Sequence, residues 1–260
     1  MSAAALIREC RRELAARGSN IVREVVGPGE IIEDWRHYPA GDGYDPISHA
    51  QYFFHAHSAS EAPGRAFAEY GHFHLFLRAE GMPAGASPLL LPETAIAKEH
   101  LSTPPQAAPS KRGARDEVSH LIAIAVDAAG APLRLFTTNR WVTGETWYRA
   151  EDVTRMLDRF TLEAAEPASL VNDWLVAIVR LYQLEIAMLL RRRDEAVMDP
   201  RRRRRRIDVF EDPAFEITSG LAIDLEARLG AIDRLATERS ATCHLPAPPR
   251  LPPMAEGWGS

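Results

Sequence analysis

The 260 residues carry 31 Lys and Arg against 36 Asp and Glu, a formal net charge of −5, with 46% hydrophobic residues and two cysteines. A chain of this length buries a core without covalent staples, and Cys10 and Cys243 form no spaced framework of the kind small secreted domains use. The modest charge argues neither for a nucleic-acid footprint over the whole surface nor for a general attraction to membranes, and the cysteine usage makes the expected location cytoplasmic.

In chain order, Leu6, Cys10 and Leu14 fall at helical spacing and predict a helix over 3–17, stopped by Gly18. Arg8, Glu9, Arg11, Arg12 and Glu13 break the apolar run that a signal peptide needs, so export is not expected. Residues 27–45, rich in Gly, Pro, Asp and aromatics around Trp35-Arg36-His37-Tyr38-Pro39, read as irregular structure. The aromatic runs 51–57 and 72–78 predict two strands, separated by a loop containing Pro63, Gly64 and Glu69. A third strand over 119–126 joins a fourth over 133–138 through Asp127-Ala128-Ala129-Gly130, a hairpin signal. Residues 101–117 lack periodicity and read as a mobile excursion from the sheet.

After Tyr148 the pattern turns helical, with a short helix over 151–160, one long helix over 169–196, and a third over 221–236 that repeats Leu225, Leu229, Ile232 and Leu235. The run 170–190 approaches the length of a membrane span, but Asp173, Arg180 and Glu185 interrupt it. Each such charge costs about 2.5–3.5 kcal/mol at a bilayer centre, which makes it a buried helix with no membrane partner. Strands first and helices afterwards give an α+β fold: a small, mostly antiparallel sheet packed with N-terminal and C-terminal helices. The expected organisation is a single domain over 1–240 and a Pro-rich, disordered tail over 241–260.

The candidate chemistry rests on side-chain parity. Residues two apart in a strand share a face, so His55 and His57 point together, as do His72 and His74. If the two strands pair, opposite residues stand about 4.5–5.5 Å apart, close enough for three or four imidazoles to converge on one ion. The four histidines are therefore the candidate metal ligands, and the nitrogen-rich set suits a divalent Fe, Zn, Mn or Cu ion. His120 opens the third strand, with Ile122 and Ile124 assigned to its own face, and is a candidate further ligand or hydrogen-bond partner behind one.

Glu69 precedes His72 by three residues and Glu61 follows His57 by four, so either can fold back onto the site. Glu185 falls on the core face of the long helix as a weaker candidate. Glu69, His120 and Tyr52 are the groups expected to handle protons if a small-molecule substrate meets water or dioxygen at the ion. A hydrolase and an oxygenase are both open. The alternative is a non-catalytic metal carrier or sensor, or an interaction module using its helices and Arg-rich segment. A hydrogen-bonded histidine network without metal is the bland reading of the cluster.

Arg140, in the polar run 137–143 after a strand, is a candidate for binding an anionic cofactor, weighed against an ordinary ion pair. The run Arg201–Arg206 lacks interleaved aromatics, so a solvated basic segment is expected rather than a nucleic-acid site. His37, His49, His100 and His244 read as structural.

His55, His57 and Glu61, spaced His-x-His-x3-Glu, resemble part of the cupin metal motif, with His49 and Ala68 where cupins carry glycines. The segment Gly71-His72-Phe73-His74-Leu75 resembles the histidine-triad nucleotide hydrolases, with Phe76 in place of the third histidine. Taken together, His37-Tyr38-Pro39, Gln51-Tyr52, His55-Ala56-His57 and Gly71-His72-Phe73-His74 resemble an uncharacterised bacterial family of unknown function that covers most of the chain. That resemblance implies no activity.

Overall fold

The computed structural model describes residues 1–56, 69–89, 118–165, 167, 169–203 and 208–242. Six strands, β1 (Tyr38–Tyr44), β2 (Ala50–Ala56), β3 (Gly71–Arg78), β4 (Val118–Val126), β5 (Pro132–Thr138) and β6 (Ile217–Ala222), form one sheet in sequence order. Every neighbouring pair is antiparallel. The helices are α1 (Ala3–Ala16), α2 (Ile21–Val26), α3 (Arg140–Thr143), α4 (Ala150–Leu157), α5 (Leu170–Leu181), α6 (Gln183–Met198), α7 (Pro200–Arg203) and α8 (Leu225–Thr242). The chain is α+β, with five of the six strands ahead of α3 to α8.

Period-two alternation divides the sheet chemically. One face carries Tyr52 and Phe54 of β2, Phe73, Leu75 and Leu77 of β3, and Ile122, Ile124 and Val126 of β4, all buried. Burying each large apolar side chain contributes about 1.5–3 kcal/mol. Helices cover this face: Trp174 of α5 packs on Phe73 with ring centroids 5.8 Å apart, and the Leu189 carbonyl of α6 accepts a hydrogen bond from Ser219 of β6. In turn α1 packs against α5, presenting Ala4, Ile7, Cys10 and Leu14 from one helical stripe. The opposite face carries His55, His72, His74 and Phe136.

Local signals explain most boundaries. The Ser2 side chain caps α1 by accepting from the Ala5 N–H, Asn20 caps α2 from Val22 and Arg23, and Ser169 caps α5 from Val171. The β4–β5 turn closes on Gly130 at φ +80°, with Asp127 accepting from the Gly130 and Ala131 N–H groups.

Three expectations are corrected. The stretch 27–45 contains β1, whose glycines and aspartate sit at an irregular register between Tyr38 and Gly43. The long helix over 169–196 is two helices, because Tyr182, at φ −112° and ψ 21°, ends α5 before α6 begins. The helix expected to start at 221 starts at Leu225, since the preceding residues pair with β5 as β6. No described helix is long and apolar enough to cross a membrane.

The chain divides into two compact units, Met1–Asp224 and Leu225–Ser260, and the described part of the second is α8. The excursion over 101–117, nearly all of the tail over 241–260, and Arg204 to Arg206 of the basic run lie outside the described residues.

Candidate metal centre

The register decides which side chains meet. His55 of β2 is directly opposite His72 of β3, and Phe53 is opposite His74, so both histidines of β3 share a face with His55. Gly71 permits this approach at the strand entrance: a Cβ there would stand 2.4 Å from the His55 carbonyl oxygen and 2.7 Å from the Phe54 ring. The imidazole centroids are 4.4 Å apart for His55 and His72, 4.7 Å for His72 and His74, and 5.3 Å for His55 and His74. One nitrogen from each of the three lies within 4.8 Å of the other two, and all three residues are buried. His55, His72 and His74 thus form a group that could hold a metal ion.

Glu69 fixes one side of the His72 ring. Glu69 Oε1 lies 2.8 Å from His72 Nδ1, and both side chains are nearly inaccessible. An ionised carboxylate only accepts, so His72 Nδ1 carries the proton and His72 Nε2 carries the lone pair. That Nε2 faces His55 Nε2 at 2.7 Å. Two nitrogens about 2.0–2.1 Å from one ion stand about 2.9 Å apart at a right angle and about 3.3 Å at a tetrahedral one. The His55–His72 nitrogen separation of 2.7 Å is close to these values.

His120 supports the third ring by an unexpected route. Simple alternation groups it with Ile122 and Ile124, but the register skips Leu121: Leu75 pairs with Ile122 and Phe76 with His120. This bulge turns His120 onto the histidine face while both isoleucines point to the helices. His120 Nε2 lies 3.1 Å from His74 Nδ1, and His120 Nδ1 lies 3.4 Å from the Thr138 hydroxyl. Burial, reinforced by the Arg193 cation, pushes the His120 pKa down to about 3 and keeps the ring neutral. A neutral His120 Nε2 can accept from His74 Nδ1–H.

Two further buried ionisable groups near His120, Glu145 and Arg193, were not singled out by sequence reading. Glu145 Oε2 accepts the His120 backbone N–H at 2.7 Å, and burial pushes the Glu145 pKa up to about 7 against the opposing pull of Arg193. The Arg193 guanidinium lies 4.2 Å from the Trp147 ring, donates to the Tyr148 carbonyl at 2.5 Å, and pairs with Asp194 at 2.7 Å. In the sequence Arg193 is one of several adjacent charges on a helix, and nothing there marks it as buried.

The other candidates stand elsewhere. Tyr52 faces the helices and donates to Asn172 Oδ1 at 2.8 Å, because its parity in β2 is opposite to that of His55. A proton-handling role at the histidine face is therefore not available to it. Arg140 pairs through Nε with Glu211 at 3.3 Å. Glu185 is half-buried on α6, away from the histidine-bearing face. His37 stacks on Phe53 at 3.7 Å with Nδ1 3.2 Å from Asp42, and His49 meets the Tyr44 hydroxyl at 2.7 Å. His57 and Glu61 lie outside the described residues, as do His100 and His244.

A family model described as a domain of unknown function, DUF6969, matches residues 1–223. The chain belongs to the DUF6969 family. The matched span ends beside the boundary of the first compact unit, so this family member's histidine face lies wholly within the family domain. No curated protein and no solved structure matches the chain.

Proposed function

We infer that the chain is a mononuclear metalloprotein whose ion is held by His55, His72 and His74, and that it uses the ion as a catalyst. The observation that carries this reading is the convergence of three buried imidazole nitrogens, backed by Glu69 on His72 and by His120 on His74. Carboxylate or other partners behind ligating imidazoles fix ring orientation and raise ligand basicity. Three protein ligands on one sheet face leave coordination positions open, the arrangement that distinguishes catalytic from structural sites. When bound, the ion supplies Lewis acidity and, if redox-active, access to dioxygen. Nitrogen donors suit Fe(II), Zn(II), Mn(II) or Cu(II), and both hydrolase and oxygenase chemistry fit a small-molecule substrate at the open positions.

The second reading is a closed site in a metal carrier or sensor. His57, two residues from His55, is the feature that favours it, since a fourth imidazole would fill a tetrahedral shell. X-ray absorption on protein loaded with Zn(II) separates the two. About three nitrogen neighbours plus an exchangeable oxygen, unchanged in His57→Ala, supports catalysis. A fourth nitrogen that disappears in His57→Ala supports the carrier.

A further inference from the structure

His120 reaches the histidine face where β4 departs from regular pairing on both of its sides. Toward β3 the register passes from Leu75 with Ile122 to Phe76 with His120, so Leu121 is skipped. Toward β5 the ladder runs from Ala123 with Phe136 to Val126 with Pro132, which leaves His120 with no strand partner in β5. A buried backbone N–H at such a point needs an acceptor from elsewhere. His120 is 2% exposed, and its acceptor is Glu145 Oε2 at 2.7 Å.

Glu145 is itself held in place. It follows Gly144, whose φ of +64° ends α3 in the left-handed region, and the next residue, Thr146, donates to the Val118 carbonyl of β4 at 2.9 Å. The Thr143 hydroxyl lies 3.5 Å from Glu145 Oε1. The segment after α3 is thus tied to the start of β4, with a buried carboxylate bonded to the strand's backbone. A carboxylate is a costly group with which to satisfy one amide: burial disfavours its charged form, and the Arg193 cation offsets part of that cost. What the placement secures is the backbone from which His120 Nε2 reaches His74 Nδ1 at 3.1 Å.

Building on the metal reading above, we propose that Glu145 is a positioning residue of the histidine site: it caps the β4 bulge and thereby holds the His120 ring against His74. Its hydrogen bonds go to His120 and Thr143 and not to His55, His72 or His74, so it acts on the ligands through His120.

The test is a double-mutant cycle on the full chain, read by Zn(II) affinity against a fluorescent chelator, with circular dichroism checking the apo fold. Glu145→Met keeps the side chain's length and loses the acceptor, and should weaken Zn(II) binding about tenfold, as for loss of a partner behind a ligand. Glu145→Gln keeps an acceptor oxygen and should stay within about threefold of wild type. In a His120→Phe background, Glu145→Met should change the affinity by less than about twofold, because the residue it acts through is gone. Wild-type affinity in a folded Glu145→Met variant, a Gln variant as weak as the Met variant, or a Met effect of equal size with and without His120 overturns the assignment. NMR of the wild-type chain without metal covers the case in which Glu145→Met does not fold. The His120 amide proton should be shifted downfield and protected from exchange, and the His74 and His120 rings should show a mutual nuclear Overhauser effect; a fast-exchanging amide overturns the proposal. Failure of the wild-type chain to bind Zn(II) overturns the metal reading, and the amide and ring signals then still decide whether Glu145 holds His120.

Discussion

Replacing Glu69 by Gln removes one charge from the site while keeping the side chain's shape. Glu69 Oε1 is 2.8 Å from His72 Nδ1 and its side chain is 3% exposed, so the bond is charge-assisted and shielded from solvent. A hydrogen bond to a charged group contributes about 1.5–3 kcal/mol and a neutral one about 0.5–1.5 kcal/mol, so the amide forfeits about 1–2 kcal/mol of support for the His72 tautomer. The variant also removes the counter-charge that Arg134 meets at 3.5 Å, bringing that cation's repulsion to bear on the ion. Losing such an outer partner typically costs 10–100-fold in metal affinity, or about 1.4–2.8 kcal/mol. Zn(II) competition against a fluorescent chelator measures it, with the exposed Glu151→Gln as control and circular dichroism checking the apo fold. An affinity within about twofold of wild type, with the fold intact, would refute the argument that Glu69 sets the His72 lone pair toward the ion.

Tyr52→Phe removes a hydroxyl that bonds Asn172 on the helix side of the sheet, so it should cost about 1–2 kcal/mol in denaturant unfolding and leave metal affinity unchanged. A loss of metal binding would contradict the face assignment of β2. Glu145 has a folded pKa raised from 4.5 to about 7, so the folded chain keeps its proton longer than the unfolded one. The associated stability is fully present below the unfolded value and is lost as pH rises toward about 7, amounting to on the order of a few kcal/mol. His120, with its folded pKa lowered, acts in the opposite sense and costs stability as pH falls below 6.5. Comparing wild type with Glu145→Gln by unfolding at pH 5, 6 and 7.5 cancels the His120 contribution. The variant should gain on wild type as pH rises, and a pH-independent difference would contradict the burial argument.

The histidine-bearing strands were legible because aromatic runs with period-two spacing have few other readings, and parity alone put His72 and His74 on one face. What the sequence hides is register. The bulge at Leu121 brings His120 to His74, yet no residue type there announces it, and straightforward alternation assigns the isoleucines to the same side. β1 was masked by Pro39, Gly41 and Gly43, which suit a strand with an irregular register as well as they suit a loop. The division of α5 from α6 at Tyr182 carries no Pro or Gly, and packing of the buried Tyr182 and Ile186 outweighs local propensity there. Glu145 and Arg193 were invisible for a related reason: their importance comes from burial together, 48 residues apart, and not from spacing.

The central claim is that three imidazoles share an ion, and elemental analysis of protein purified without an affinity tag tests it most directly. The account predicts about one transition-metal ion per chain, retained through dialysis and lost in a folded His72→Ala variant. Protein that carries no metal after exposure to Fe, Zn, Mn and Cu salts, or that binds as much metal after His72→Ala, would contradict it.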